Sequence, residues 1–310
     1  MIPIDITKAN IIEAREHHYR IMRYIILKKI KGNQFEEKPP LKNMKIQYIS
    51  RVSDSIKKYF EDEDNLKRVL IGLPTELDSI KSKFCKNEKI RKIFDYDNWL
   101  SNDKYNAYDL AKKLDIPTCP YCNRMYTKTV MGEAGEKIIR PEFDHWFPKS
   151  QYPLLALSFY NLIPSCHICN SNLKGKIKPD LKYHFHPYNP INNFNPIFSY
   201  ELKDYDSYKI KIGFRGEFKE KKQFEKSLKI FELENIYQAH EDEVKDLIKI
   251  RQAYSDKYID ILNESLENKI HLSKEEVYRL AFGVHYEEDK FDRRPLSKLK
   301  KDILTELGII

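Results

Sequence analysis

Glycine is scarce in this 310-residue chain: there are nine, and nowhere do they gather into the loop that cradles nucleotide phosphates. ATP hydrolysis by this chain is therefore not expected. Long apolar runs are missing too, and stretches such as Tyr24 to Leu27 fall far short of the roughly 20 residues a membrane helix needs. The amino terminus has neither the basic start nor the apolar centre of a secretory signal. Cysteine is rare, five in all, and four of these fall in two tight pairs, leaving Cys85 alone. That grouping suits metal binding in a reducing compartment better than a disulfide framework. A cytoplasmic protein with no membrane partner is expected. Internal repeats and low-complexity tracts are absent from the sequence.

What is present is charge, unevenly placed. Lys and Arg number 55 against 47 Asp and Glu, a net charge of +8, and residues 111–190 hold 11 basic and 6 acidic side chains. A basic surface suits an anionic polymer, because neutralised phosphates release their counterions. The length can bury a sizeable core and points to two or three lobes.

The basic segment carries the cysteine pairs, Cys119-Pro120-Tyr121-Cys122 and Cys166-His167-Ile168-Cys169, with 43 residues between them. Two such knuckles can close one tetrahedral four-thiolate zinc site while the intervening chain loops out. Within the loop, a short strand expected over Glu142 to Phe147 carries the adjacent pair Asp144-His145. Neighbouring strand residues point to opposite sides, so the two can take different roles. Asp144 offers a hard oxygen ligand for a divalent cation, and His145 a base toward water.

The order Cys-x2-Cys, Asp144-His145, Asn161-Leu162, Cys-x2-Cys-Asn170, Lys174 resembles the HNH nucleases over Thr118 to Lys176. The phrase LLALSFYNLIPSC, Leu154 to Cys166, is also similar to HNH subunits of bacterial defence systems of the Septu kind, which work with an ATPase. The resemblance implies two strands and a helix around one metal ion, and hydrolysis of nucleic-acid phosphodiesters, with DNA the expected polymer. It implies His145 as the base, Asp144 as a ligand of a catalytic magnesium or manganese ion, and Asn161 as the brace of the loop. The last signature position, often histidine, falls on Asn170, whose amide oxygen can serve such an ion. Spacing to the following lysine leaves Asn172 as a competing choice. An ATPase partner protein is the corresponding expectation.

The remaining sequence reads as α+β: a helical lobe at residues 1–115, a zinc-supported core at 116–190, and a hairpin followed by helices at 191–310. Helices are expected from Thr7 to about Ile30, Met44 to Phe60, Asp64 to Ile71, Thr75 to Phe84 and Asp103 to Leu114. Arg124 to Val130 and Lys137 to Phe143 suit a hairpin, Leu162 to Pro164 a return strand, and Ile168 to Lys174 a helix. A short helix is expected over Pro153 to Phe159. After a connector at Asn189 to Pro196, a hairpin is expected over Phe198 to Leu202 and Tyr208 to Phe214. Helical patterns then cover Lys219 to Leu266, broken near Glu232 to Asn235, followed by Lys274 to Phe282 and Pro295 to Leu307. Lys149, Lys174, Lys176 and Lys178 are candidate phosphate contacts; His184 and His186 stay outside the site. The rival reading is a non-catalytic zinc ribbon that binds nucleic acid or protein, with His145 buried or at zinc and Asp144 capping a turn.

Overall fold

A computed structural model describes residues 1–189, 196–215, 218–253, 261–262 and 272–310. The connector expected over Asn189 to Pro196 and the helix expected beyond residue 253 fall largely outside these. Among the described residues the fold is α+β, helices predominating over three small two-stranded sheets. Among the described residues no helix is long and apolar enough to cross a membrane.

Helix α1 (Ala9–Lys31) buries Ile11, Ala14, Ile21, Ile25 and Ile30 at helical spacing, one continuous stripe that gives the amino-terminal half its axis. Thr7 does not cap it. Its hydroxyl bonds to Asp5 instead, and Lys8 occupies the cap position. Gly32 ends the helix with φ +58°, where a Cβ would stand 2.8 Å from the Tyr48 ring. No helix begins at Met44. The chain stays irregular up to α2 (Asp54–Glu61), because Met44, Ile46 and Ile49 pack on the core as extended chain and Ile49 donates to the Lys29 carbonyl, 2.8 Å. Tertiary contact overrides helical periodicity here.

Helices α3 (Glu63–Ile71) and α4 (Pro74–Ile80) follow expectation, the latter ending early. Two short helices then appear that the pattern did not suggest, α5 (Glu88–Ile93) and α6 (Tyr96–Leu100). Each has a side-chain cap, Asn87 and Asp95 respectively, which is their sequence signature. Helix α7 (Ala107–Leu114) starts at a capping box of Asn106 and Asp109, four residues later than Asp103.

The first expected hairpin splits. Strands β1 (Val130–Met131) and β2 (Lys137–Ile139) pair briefly, and Pro141 separates them from β3 (Glu142–His145), which joins a different sheet. Its partner is β4 (Leu162–Ser165), antiparallel, with Asp144 opposite Ile163 and His145 opposite Leu162. A seven-residue π-helix, Ile168–Lys174, packs next to this pair. Between β3 and β4 the expected helix is two single turns, Pro153–Leu155 and Phe159–Asn161.

The carboxy-terminal part opens on a hairpin of β5 (Pro196–Asp204) and β6 (Ser207–Phe214). Helix α8 (Phe218–Ile230) ends two residues before Glu232, whose left-handed conformation precedes α9 (Leu233–Gln238), and α10 (Glu241–Ala253) follows. Helix α11 (Lys274–Phe282) and α12 (Ser297–Glu306) complete the fold. Pro295 does not open α12, because left-handed Leu296 intervenes. Lys298 of this helix is buried against Asp302 at 2.8 Å. A single buried cluster runs from Met1 to Ile309, so the segment with the two cysteine pairs is embedded between the flanking helices.

Candidate functional site

The four knuckle cysteines meet. Cys119, Cys122, Cys166 and Cys169 are all buried, and their sulfurs lie within 4.8 Å of one another. The Cys169 backbone N–H faces the Cys166 sulfur at 3.5 Å, as tight knuckles arrange to spread thiolate charge. None is in a disulfide. Four buried sulfurs so close need a cation to be stable as thiolates, and an all-sulfur tetrahedral set suits zinc. The cluster can hold a structural zinc ion, and Cys85 lies outside it.

The knuckles are stitched to both ends of the chain. Ile2 donates to the Pro120 carbonyl at 2.7 Å, and Tyr237 donates to that of Cys122. Asn123 holds a left-handed turn, donates to Phe291 O at 2.8 Å, and accepts at its own carbonyl from Leu296 N–H at 2.7 Å.

On β3 the alternation places Asp144 and His145 on opposite faces, in quite different surroundings. Asp144 is buried, and both carboxylate oxygens are engaged: Tyr121 donates to Oδ2 at 2.6 Å and the Lys174 ammonium to Oδ1 at 2.7 Å. Lys174 also donates to the His145 carbonyl at 3.1 Å. It is as buried as its partner, so the lysine expected to face phosphate is turned inward.

Asn170 does not meet Asp144. Its amide donates to Glu142 Oε2 at 2.8 Å, where Ser171 Oγ also donates at 3.0 Å, while His167 Nδ1 lies 2.7 Å from the other oxygen. Burial works the other way, but these hydrogen bonds hold Glu142 below the ordinary carboxylate range. Asn172, the competing choice, is exposed. As arranged, Asp144 and Asn170 do not fit a shared magnesium or manganese ion: one has both oxygens occupied, the other faces a different carboxylate. Glu142 is the carboxylate the motif reading passed over, and its alternation with Asp144 along β3 is the signal that could have found it.

His145 is half-buried. Its Nε2 lies 3.0 Å from the Ala156 carbonyl, which can only accept, so Nε2 carries the proton and Nδ1 keeps its lone pair. The Tyr96 ring stands edge-on at 4.4 Å. Burial lowers the pKa of His145 to about 4, so the imidazole is neutral at pH 7. No protein group engages Nδ1 among the described residues.

The loop that supplies Ala156 is locked by Asn161. This fully buried amide accepts from Phe147 N–H at 2.7 Å and donates to Phe147 O at 3.0 Å and Leu155 O at 2.8 Å. The helical lobe holds the same loop from outside. His18 of α1 meets Leu157 O at 2.8 Å, Ser158 donates to Val69 O, and Arg91 donates to Ser150 O at 2.9 Å. Lys149 pairs with Asp97 at 2.6 Å, while Lys176 and Lys178 are exposed. His186 is buried against Trp146, with ring centroids 4.7 Å apart.

Comparison with known families, curated proteins and solved structures finds no match.

Proposed function

We propose that this chain is an endonuclease of the HNH kind that hydrolyses phosphodiester bonds in nucleic acid, DNA being the favoured polymer. One observation carries the reading: a neutral imidazole, His145, fixed by its Nε2 hydrogen bond with a free Nδ1 lone pair, on a strand pair next to the zinc cluster. A histidine so held can take a proton from water at neutral pH, and its low basicity limits but does not abolish that role. Asn161 donates to the carbonyl of Leu155, the neighbour of Ala156, and so acts as a positioning residue for the loop. The four cysteines hold the two ends of the loop together when zinc is bound. Exposed Lys176 and Lys178 supply positive charge for phosphate.

A requirement for magnesium or manganese belongs to the same proposal. It demands that Tyr121 and Lys174 release Asp144. Service as the nuclease of an anti-phage system beside an ATPase partner is the cellular role proposed, resting on the likeness of residues 154–166 to Septu-type subunits.

A second reading is favoured by the Asp144–Lys174 pair, which makes that carboxylate a structural anchor. It holds the chain to be a zinc-clamped binding module without catalysis. Plasmid nicking by purified, zinc-loaded protein with manganese decides between them. Cleavage that disappears with His145→Ala supports the nuclease. Nucleic-acid binding without any cleavage, with or without the co-purified partner, supports the module.

A further inference from the structure

The chain leaves the π-helix at Gly175, directly after Lys174, the partner of Asp144, and runs as a loop through residues 176–184. That loop carries Lys176, Lys178 and Lys182, all exposed. Helix α8 is lashed to its far end. Gln223 Nε2 donates to the carbonyls of Leu181 at 2.8 Å and His184 at 2.9 Å, and Ser227 Oγ accepts from Phe185 N–H at 2.7 Å. These bonds join loop and helix into one ledge that continues from the candidate site.

The helix adds lysines of its own. Phe224, Ser227, Leu228 and Ile230 are buried, while Lys222, Lys226 and Lys229 recur at i, i+4 and i+7 as a neighbouring stripe. Like charges at such spacings repel one another. Elsewhere carboxylates relieve the repulsion, as Glu241 does for Lys245 one turn along α10. None of the six ledge lysines forms an ion pair among the described residues. Asp180, in the loop, is spent on the Lys182 backbone N–H at 2.8 Å, and exposed Glu225 pairs with neither Lys222 nor Lys229. Unneutralised charge of one sign over a loop and a helix face fits a polyanion.

Tyr183 decides which kind. Its ring already has the Lys226 ammonium 3.8 Å and the Lys182 ammonium 5.2 Å from its centre, so the ring is occupied. A single strand is held by bases stacked on free aromatic rings, which this ledge lacks; a duplex keeps its bases inside and presents its phosphates. We propose that the ledge docks the phosphate backbone of a DNA duplex, without regard to base sequence. The proposal rests on the nucleic-acid part of the function proposed above and needs no catalysis. Lysine contacts to phosphate fix the position of the duplex and read no bases.

Fluorescence anisotropy of short labelled duplexes, titrated with the zinc-loaded full chain in the absence of magnesium and manganese, tests it. Two duplexes of unrelated sequence should bind equally, with log K falling steeply against log salt. Lys222→Gln with Lys229→Gln changes two exposed side chains. It should weaken binding about tenfold and flatten that slope by about 2, with the melting temperature unchanged. The same charge removed from the helical lobe, by Lys42→Gln with Lys86→Gln, should do neither. His145→Ala should bind as the wild type does, so a chain that binds through the ledge and never cleaves sinks the nuclease reading alone. Cleavage together with binding indifferent to the Lys222 and Lys229 changes overturns the ledge alone. Failure to bind a duplex at low salt also overturns it, as does an equal loss from the helical-lobe change. Tighter binding of the matching single strand, or of phosphatidylglycerol vesicles, through the same lysines would mark a surface for another polyanion and overturn it too.

Discussion

The Asp144 carboxylate and the Lys174 ammonium lie 2.7 Å apart in the interior, with side-chain exposures of 3% and 4%. The pair ties the last turn of the π-helix to the centre of β3, and Tyr121, from the first knuckle, closes the network at the other carboxylate oxygen. Strand, helix and cysteine knuckle thus converge on one anion.

Breaking this pair should be costly. Lys174→Met leaves a buried carboxylate with one hydrogen bond and should destabilise the fold by about 3–5 kcal/mol. Adding Asp144→Leu should recover much of that loss, since two apolar groups need no mutual compensation. Denaturant unfolding of zinc-loaded proteins measures both. Equal stability of Lys174→Met and wild type would place the pair outside the interior seen here.

Metal content is the second measurement. Purified protein should carry about one zinc per chain, bound by the four cysteines. Cys166→Ser should lower both zinc content and melting temperature, because thiolate coordination is coupled to folding. Folded protein free of zinc would contradict the assignment.

Catalysis and support should separate within the loop. His145→Ala should reduce cleavage about a hundredfold or more, on the scale of a general base, with zinc retained. Asn161→Ala removes three buried hydrogen bonds and should lower the melting temperature as well as the rate. If His145→Ala cleaves at the wild-type rate while still zinc-loaded, the base is another group.

The pH–rate profile carries a sign. With its pKa near 4 rather than 6.5, His145 stays neutral well below pH 6. The acid limb of cleavage should therefore lie close to pH 4, provided the fold persists, and a limb near 6.5 would show a solvated histidine at work.

Stability should fall in the same direction. Burial lowers His18 to about 4 and His186 to about 3, so the folded chain binds fewer protons than the unfolded one in this range. Their contribution is full above about pH 6.5 and is lost as pH falls toward 4 and then 3. Each such shift corresponds to roughly 3–5 kcal/mol at most. Melting temperature measured between about pH 7 and pH 4 should drop steeply, and His18→Gln should flatten that slope.

Local chemistry was legible in the chain. Cysteine spacing announced the cluster, because a C-x2-C turn can present two sulfurs with little help from the rest of the fold. The strands expected over Glu142 to Phe147 and Leu162 to Pro164 correspond to β3 and β4, the first ending two residues earlier and the second one residue later. The helices α3 and α11, with side-chain caps, and α1, with its buried stripe but without the expected Thr7 cap, also emerged nearly as read. Residues 44–53 did not, since a helical spacing of apolar residues cannot reveal that neighbouring helices will bury them as extended chain.

The sequence by itself determined the donors: four thiols, an Asp-His pair and an asparagine at the loop's end. Tertiary structure alone decided which of them are spent inside the protein. Lys174 reaches Asp144 across 30 positions, Asn170 turns to Glu142, and the helical lobe grips the loop through His18, 139 positions from Leu157. Such pairings depend on burial: an ion pair costs solvation on both partners, and only the packed interior makes their mutual contact the favourable alternative to water.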